Sequence, residues 1–186
     1  ATMPRATVIV LTWNALEHTR RCVESLLRHT DPRHELLFVD NASTDGTVDW
    51  LADLAAREPR VRVIANDANL GFAAGNNVGL AAAHGEFAVL LNSDTVVTDG
   101  WLERLLRPAL ADPRVGLVGP VTNNVTGVQR LADADYDQRT LAGLDAYAAR
   151  RAAERAGQAD PALWLVGFCL LVRREVIERL GGLDEV

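Results

Sequence analysis

The residues with the clearest capacity for chemistry are Asn92-Ser93-Asp94, at the end of the apolar run Phe87 to Leu91. Such a run reads as a strand buried on both faces, and three polar residues stand where it leaves the sheet. In open α/β sheets ligands bind in the crevice outside the carboxyl ends of the strands, so a carboxylate there faces a ligand rather than the core. A diphosphate in that crevice would need its charge neutralised. A hard divalent cation, Mn²⁺ or Mg²⁺, held by one or two carboxylates and sharing the phosphate oxygens would do so. Asp94 is thus the candidate metal ligand, with Asn92 and Ser93 as neighbouring oxygen donors. The competing reading is an aspartate that only caps a helix or turn after a core strand.

Composition narrows the chemistry further. All 19 basic residues are arginine, so no lysine is present for a phosphate-loop motif or a Schiff base. Phosphate contacts then fall to arginine, backbone amides or metal. A formal net charge of −6 argues against nonspecific nucleic-acid binding, which needs basic surface. Cys22 and Cys169 lie among apolar residues without metal-ligand spacing, and are expected to be buried free thiols of a reducing compartment. The apolar runs are too short to span a bilayer, and Thr7 to Leu11 lacks the length and flanks of a signal peptide. The expected location is cytoplasmic, with association to the inner face of a membrane only through regions outside the sequence.

The elements that must position these residues follow from periodicity. With 186 residues, 48% hydrophobic, one domain is expected. Thr7 to Leu11, Leu36 to Val39 and Val61 to Ala65 read as strands. Between them lie helices carrying Cys22, Val23, Leu26 and Leu27, then Val48, Leu51, Leu54 and Ala55. Strands alternating with helices imply parallel βαβ units. Thr12-Trp13-Asn14 and Asp40-Asn41 again put polar groups at strand ends. Gly71, Gly75 and Gly79 repeat every four residues along one helix face that ends at Gly85, with Asn76 and Asn77 beside it. That face suits close approach to the sheet or to a ligand, and both roles can hold at once. Beyond Asp94, Thr98-Asp99 is expected to cap a helix broken or kinked at Pro108, and Val115 to Val118 to form a strand. Leu141 to Ala156 reads as a surface helix, Trp164 to Val172 as a strand, and Arg174 to Leu180 as a short helix.

Taken in order, Val-Ile-Val-Leu-Thr-Trp-Asn at 8–14, Val-Asp-Asn-Ala-Ser-Thr-Asp-Gly-Thr at 39–47, Asn-Leu-Gly-Phe-Ala-Ala-Gly-Asn-Asn at 69–77 and Leu-Leu-Asn-Ser-Asp at 90–94 resemble glycosyltransferase family 2. The nearest likeness is to the rhamnosyltransferase-like branch of these inverting enzymes. The resemblance implies an α/β GT-A fold, with a Rossmann-like, mostly parallel central sheet flanked by helices. It implies one domain over 1–186, with 1–97 binding the nucleotide sugar and 98–186 facing the acceptor and truncated at its C-terminus. The donor would be a UDP- or dTDP-linked sugar, the acceptor a glycan or glycolipid, and the cofactor a divalent metal.

Residue by residue, the resemblance assigns Thr12, Trp13, Asn14, Asp40 and Asn41 to the nucleotide. Asn69, Gly71, Phe72, Gly75, Asn76 and Asn77 would line the nucleotide-sugar pocket. Asn92-Ser93-Asp94 replaces the family's Asp-x-Asp, with Asn in the first place and Asp94 as metal ligand. Trp164 and Gly167 would stand where donor sugar meets acceptor. The catalytic base of the family lies beyond Val186 and is left unassigned, Asp184 and Glu185 being the candidates within the sequence.

Two other functions use similar parts. A sugar-nucleotide nucleotidyltransferase needs a glycine-rich phosphate loop after its first strand, which Thr12-Trp13-Asn14 is not. A non-catalytic nucleotide-sugar-binding module of a larger synthase would bind donor without turnover.

Overall fold

Three strands that read as buried runs, Ala6–Thr12 (β1), Glu35–Asp40 (β2) and Phe87–Asn92 (β4), form the centre of the sheet, in the computed structural model, which describes residues 5–132 and 134–185. With Val61–Ala65 (β3), Leu117–Val118 (β5) and Cys169–Arg173 (β6) they make a six-stranded sheet of order β3-β2-β1-β4-β6-β5. The first four are parallel, as the alternation with helices predicts; β6 runs antiparallel to β4 and to β5. The order reverses direction between β1 and β4. That switch point leaves the crevice in which α/β sheets bind ligands.

Helices Leu16–His29 (α1), Thr47–Ala55 (α2) and Trp101–Ala111 (α4) cover one face. They bury Cys22, Val23, Leu26, Leu51, Leu102 and Leu106 against Val8, Val10, Phe38, Val89 and Leu91. Gly71–Ala82 (α3) covers the other over Ile9, Val39 and Leu90, joined by Ile177 of Arg174–Leu180 (α6). Leu144–Glu154 (α5) buries Tyr147 alone of its residues. α3 can sit this close because its sheet-facing positions are glycine. A Cβ on Gly79 would meet Ile9 Cγ2 at 2.4 Å, and one on Gly75 would meet Leu11 Cδ1 at 2.6 Å.

Several expectations are corrected. The helix carrying Trp101 runs unbroken through Pro108, its end closed by the Asp112 N–H donated to the Pro108 carbonyl at 3.2 Å. Proline gives up one backbone bond, but Leu105, Leu106 and Ala109 around it are buried in the core and hold the turn. Its N-cap is Gly100, with no side-chain cap from Thr98 or Asp99. The strand expected over 164–172 starts only at Cys169, because the Val166 N–H is taken by Gln129 Oε1 at 2.6 Å instead of a strand partner. α3 stops at Ala82 and Gly85 lies in the following turn, while the strand expected at 115–118 shortens to two residues. On α5, Arg150 ion-pairs with Asp135 and lies over the Tyr147 ring. Both cysteines are free and buried, as expected.

Candidate functional site

At the carboxyl ends of β1 and β4 a cleft of about 290 Å³ is lined by Leu11, Ala15, His18, Phe72, Asn92, Ser93 and Asp94. A larger hollow, about 460 Å³, lies at the far end of α1, lined by Arg28, Asp31 and Glu103. The switch-point argument favours the smaller one. Asp94 is exposed in the turn after β4, while Asn92 and Ser93 are half-buried. The Asn92 N–H is donated to the Phe168 carbonyl at 2.8 Å and its own carbonyl accepts the Thr95 N–H, so the turn is anchored at both sides. Burial, and then the negative charge of Asp94, push the Cys22 thiol up to about 12. That thiol is therefore neutral and no nucleophile.

The walls of the cleft are two loops tied together by side chains. Asp40 is fully buried, and its carboxylate accepts hydrogen bonds from Thr12 Oγ1 at 2.8 Å, the Ser43 N–H at 2.8 Å and Ser43 Oγ at 2.6 Å. Asn14 takes the Thr44 N–H on its Oδ1 at 2.8 Å and gives its own N–H to Ser43 Oγ at 2.7 Å. The Leu16 N–H goes to Asp45 Oδ2 at 2.9 Å. These bonds hold Asn14 and Ala15 in the left-handed region, both at φ 56, immediately before α1. Two successive non-glycine residues there are strained, and they persist because the partner loop fixes them.

Asn41 is likewise interior. It donates to Asn69 Oδ1 and to the Gly71 carbonyl, both at 3.1 Å, and accepts from Asn66 Nδ2 at 2.9 Å. Asn69 Oδ1 also takes the Gly71 N–H at 2.9 Å, which shapes the entry to α3. Asn76 is buried and donates to the Phe72 carbonyl at 2.9 Å. Asp40, Asn41, Asn14 and Asn76 therefore hold the loops and the helix beside the cleft through bonds within the protein. Asn77, expected to line the pocket, is spent on the C-terminal segment, where its amide brackets Leu183.

What faces outward is aromatic and acidic. Trp13, Phe72 and Trp164 are 58%, 51% and 52% exposed, and of the three Phe72 lines the cleft. Phe72 meets Gly167, where an added Cβ would lie 3.5 Å from its ring. Trp164 packs over Gly127 in the short turn Gly127–Gln129. The loop that carries Trp164 and Val166 is held by Gln129, 3% exposed, which accepts the Val166 N–H and donates to the Pro120 carbonyl at 2.8 Å. Gln129 and His18 were not singled out in the sequence. For His18 the signal was its place in the first turn of the helix that follows Thr12-Trp13-Asn14; for Gln129 there was none.

Among the described residues no three His, Cys, Asp or Glu side chains gather as a metal cage. The donor set suits an ion held by the Asp94 carboxylate and nearby Asn92 and Ser93 oxygens, with the rest of its shell from ligand phosphate and water. No described helix is long and apolar enough to cross a membrane.

The family model described as Glycosyl transferase family 2 matches residues 7–181. The chain is 29% identical over 201 residues to an N-acetylglucosaminyl-diphospho-decaprenol L-rhamnosyltransferase of Mycobacterium tuberculosis, covering 96% of this chain and 64% of that protein. Among solved structures, a mannosyltransferase from Pyrobaculum calidifontis in complex with GDP-Man and Mn²⁺ superposes with TM-score 0.71 and 28% identity, over 99% of this chain and 48% of the other. Staphylococcus aureus TarS 1-349 shares the fold, with TM-score 0.66 at 19% identity over 97% of this chain and 50% of the other. The chain thus spans less than two thirds of the length of each.

Proposed function

This chain belongs to glycosyl transferase family 2 and has its GT-A fold, and from that premise we propose that it transfers a sugar from a nucleoside-diphosphate donor to a glycan or glycolipid acceptor, with inversion and with a divalent metal. One observation carries the reading: an exposed carboxylate, Asp94, stands at the sheet's switch point in a cleft that the half-exposed Phe72 ring also lines. A ligand suited to such a place has flat rings to stack and a phosphate whose charge an ion on Asp94 can balance. The mannosyltransferase bound to GDP-Man and Mn²⁺ supports that class of ligand.

In this reading Trp13 and Phe72 border the nucleotide and sugar, and the loops held by Asp40, Asn14 and Asn41 keep the cleft open and rigid before the donor arrives. Rigid walls lower the ordering cost of binding. Asp94, with Asn92 and Ser93, would hold the divalent ion, which when bound neutralises the diphosphate as the leaving group departs. Gly167 and Trp164 border the acceptor side. The acceptor hydroxyl must lose its proton to a carboxylate there. Asp184 and Glu185 are the candidates within this chain. A lipid-linked acceptor, of the kind named for the mycobacterial relative, would bring this chain to the inner face of the membrane.

Calorimetric titration of UDP, dTDP and GDP with and without Mn²⁺ tests the donor site, and a panel of the corresponding sugar nucleotides with an N-acetylglucosaminyl-diphospho-lipid tests transfer. Metal-dependent binding that weakens about tenfold or more in Asp94→Ala, as expected for loss of a charged ligand contact, supports the proposal. Absence of binding to all three nucleotides in the presence of metal would sink it.

A further inference from the structure

The C-terminal segment is fastened to α3 by one side chain. Asn77 Oδ1 accepts the Leu183 N–H at 2.8 Å, and its Nδ2 donates to the Leu183 carbonyl at 2.9 Å and to Glu185 Oε1 at 2.7 Å. An amide that reads both the N–H and the C=O of one residue fixes that residue's backbone in two directions. The preceding Gly182 sits at φ +99, and a Cβ there would fall 2.5 Å from Asn77 Oδ1, so only glycine allows the bracket to close. Leu183 then packs in the apolar cluster that includes Leu11, a cleft-lining residue. Asn77 is five residues along α3 from Phe72, a rise of about 7.5 Å. The segment carrying the exposed Asp184 and Glu185 is thereby tied to α3, the helix whose Phe72 lines the cleft.

Resting on the glycosyltransferase reading, we propose that Asn77 is a positioning residue for the acceptor side: it fixes the Gly182–Glu185 segment so that Asp184 and Glu185 are presented to the hydroxyl groups of an incoming acceptor, and it does not hold the nucleotide. Carboxylates accept hydrogen bonds from sugar hydroxyls, and their use depends on being fixed before the acceptor arrives. The bracket supplies that order without occupying the cleft.

The test compares wild type, Asn77→Ala, Asn77→Asp and Asn77→Asp with Glu185→Gln. Three readouts are taken: Leu183 amide hydrogen exchange, UDP and dTDP titration with Mn²⁺, and turnover with whichever donor and lipid acceptor react in the panel above. In Asn77→Ala the Leu183 amide should exchange about tenfold faster, nucleotide affinity should stay within about twofold, and kcat should fall about 10- to 100-fold. Asn77→Asp sets a second carboxylate against Glu185 and should loosen the segment as well. Adding Glu185→Gln restores a donor opposite the new carboxylate, though not the bond to the Leu183 carbonyl, and should recover part of the Leu183 protection, which a general packing defect would not do. Unchanged Leu183 exchange or unchanged turnover in Asn77→Ala overturns the proposal, as does nucleotide affinity weakened about tenfold. A wild type that binds no nucleotide instead defeats the donor-site reading, and the exchange measurement still reports on the bracket.

Discussion

Gly79→Ala puts the packing of α3 on the sheet to a direct test. The new methyl carbon would lie 2.4 Å from Ile9 Cγ2 and 3.2 Å from Val39 Cγ2. Ordinary carbon contacts need about 3.5–4.0 Å, so roughly 1 Å must be found. Ile9 cannot supply it. It is fully buried in β1, paired with Leu37 on one side and Leu90 on the other, and Cγ2 is a branch at the Cβ rather than the end of a long side chain. The helix must lift instead. Overpacking of this kind costs about 1–3 kcal/mol, while replacing a helical glycine by alanine returns about 1 kcal/mol. With a rigid partner the clash lies toward the upper end of that range, and net destabilisation of up to about 2 kcal/mol follows, a fall in Tm of up to roughly 4–8 °C for a chain of this size. Because Phe72 and the Asn69–Gly71 entry ride on the same helix, nucleotide affinity should fall with stability. Thermal and urea unfolding read the first effect and calorimetry the second. A variant as stable as wild type, or more so, would show that helix propensity outweighs the contact and that α3 does not depend on glycine there.

Other perturbations separate walls from surfaces. Asp40→Asn removes the charge that draws Thr12 and Ser43 together and should cost about 1–3 kcal/mol in urea unfolding, with weaker nucleotide binding as a consequence. Asp94→Ala, at an exposed position, should leave Tm within about 2 °C of wild type while removing metal-dependent binding. Burial raises the Glu35 carboxyl, but hydrogen bonds from Thr7, Arg62 and the His84 N–H, with the Arg62 charge, outweigh it and hold the group below its ordinary range. A lowered folded pKa gives stability that is present above the unfolded value and is lost as pH falls through the folded one. Thus Glu35→Gln should flatten the acid limb of a Tm-against-pH curve below about pH 4.5 and lower Tm at pH 7. Burial pushes both thiols up, Cys22 to about 12, so neither should react with a thiol reagent at pH 8 until urea unfolds the chain; prompt labelling of the native protein would contradict the packing of α1 on β6.

The central strands and the first three helices were legible because each carries one period over most of its length. Phe87 to Leu91, Leu36 to Val39 and Val8 to Leu11 are apolar without interruption, and a run buried on both faces has no other stable place. The crevice was legible for the same reason, since a strand's end is also where its polar residues begin. What the sequence did not disclose was the direction of those polar groups. Asp40 and Asp94 both follow a buried strand, yet one is sealed against Thr12 and Ser43 and the other is exposed. The difference comes from Ser43 and Thr12 converging across two loops, a contact 28 residues long in sequence for Thr12 and invisible to any local pattern. The region after Val118 was read least well, since Gln129 overrides the strand propensity of Trp164 to Phe168 with one hydrogen bond.

This division changes how loss of function at the site should be read. Asp40, Asn41 and Asn14 stand in the matching motifs, but their side chains are tied into the neighbouring loops, so a variant at any of them acts on a ligand through the loop it holds. Such a residue changes affinity and stability together, because the same bonds fix the wall and contribute to folding. Asp94, Trp13 and Phe72 are exposed and hold little of the fold, so their variants should change binding with stability nearly constant. Plotting the change in nucleotide affinity against the change in unfolding free energy across these positions should therefore give two groups, one along a sloping line and one along the affinity axis. If Asp40 variants fell in the second group, its carboxylate would have to leave Thr12 and Ser43 to meet the ligand, and the rigid-wall account of this cleft would be wrong.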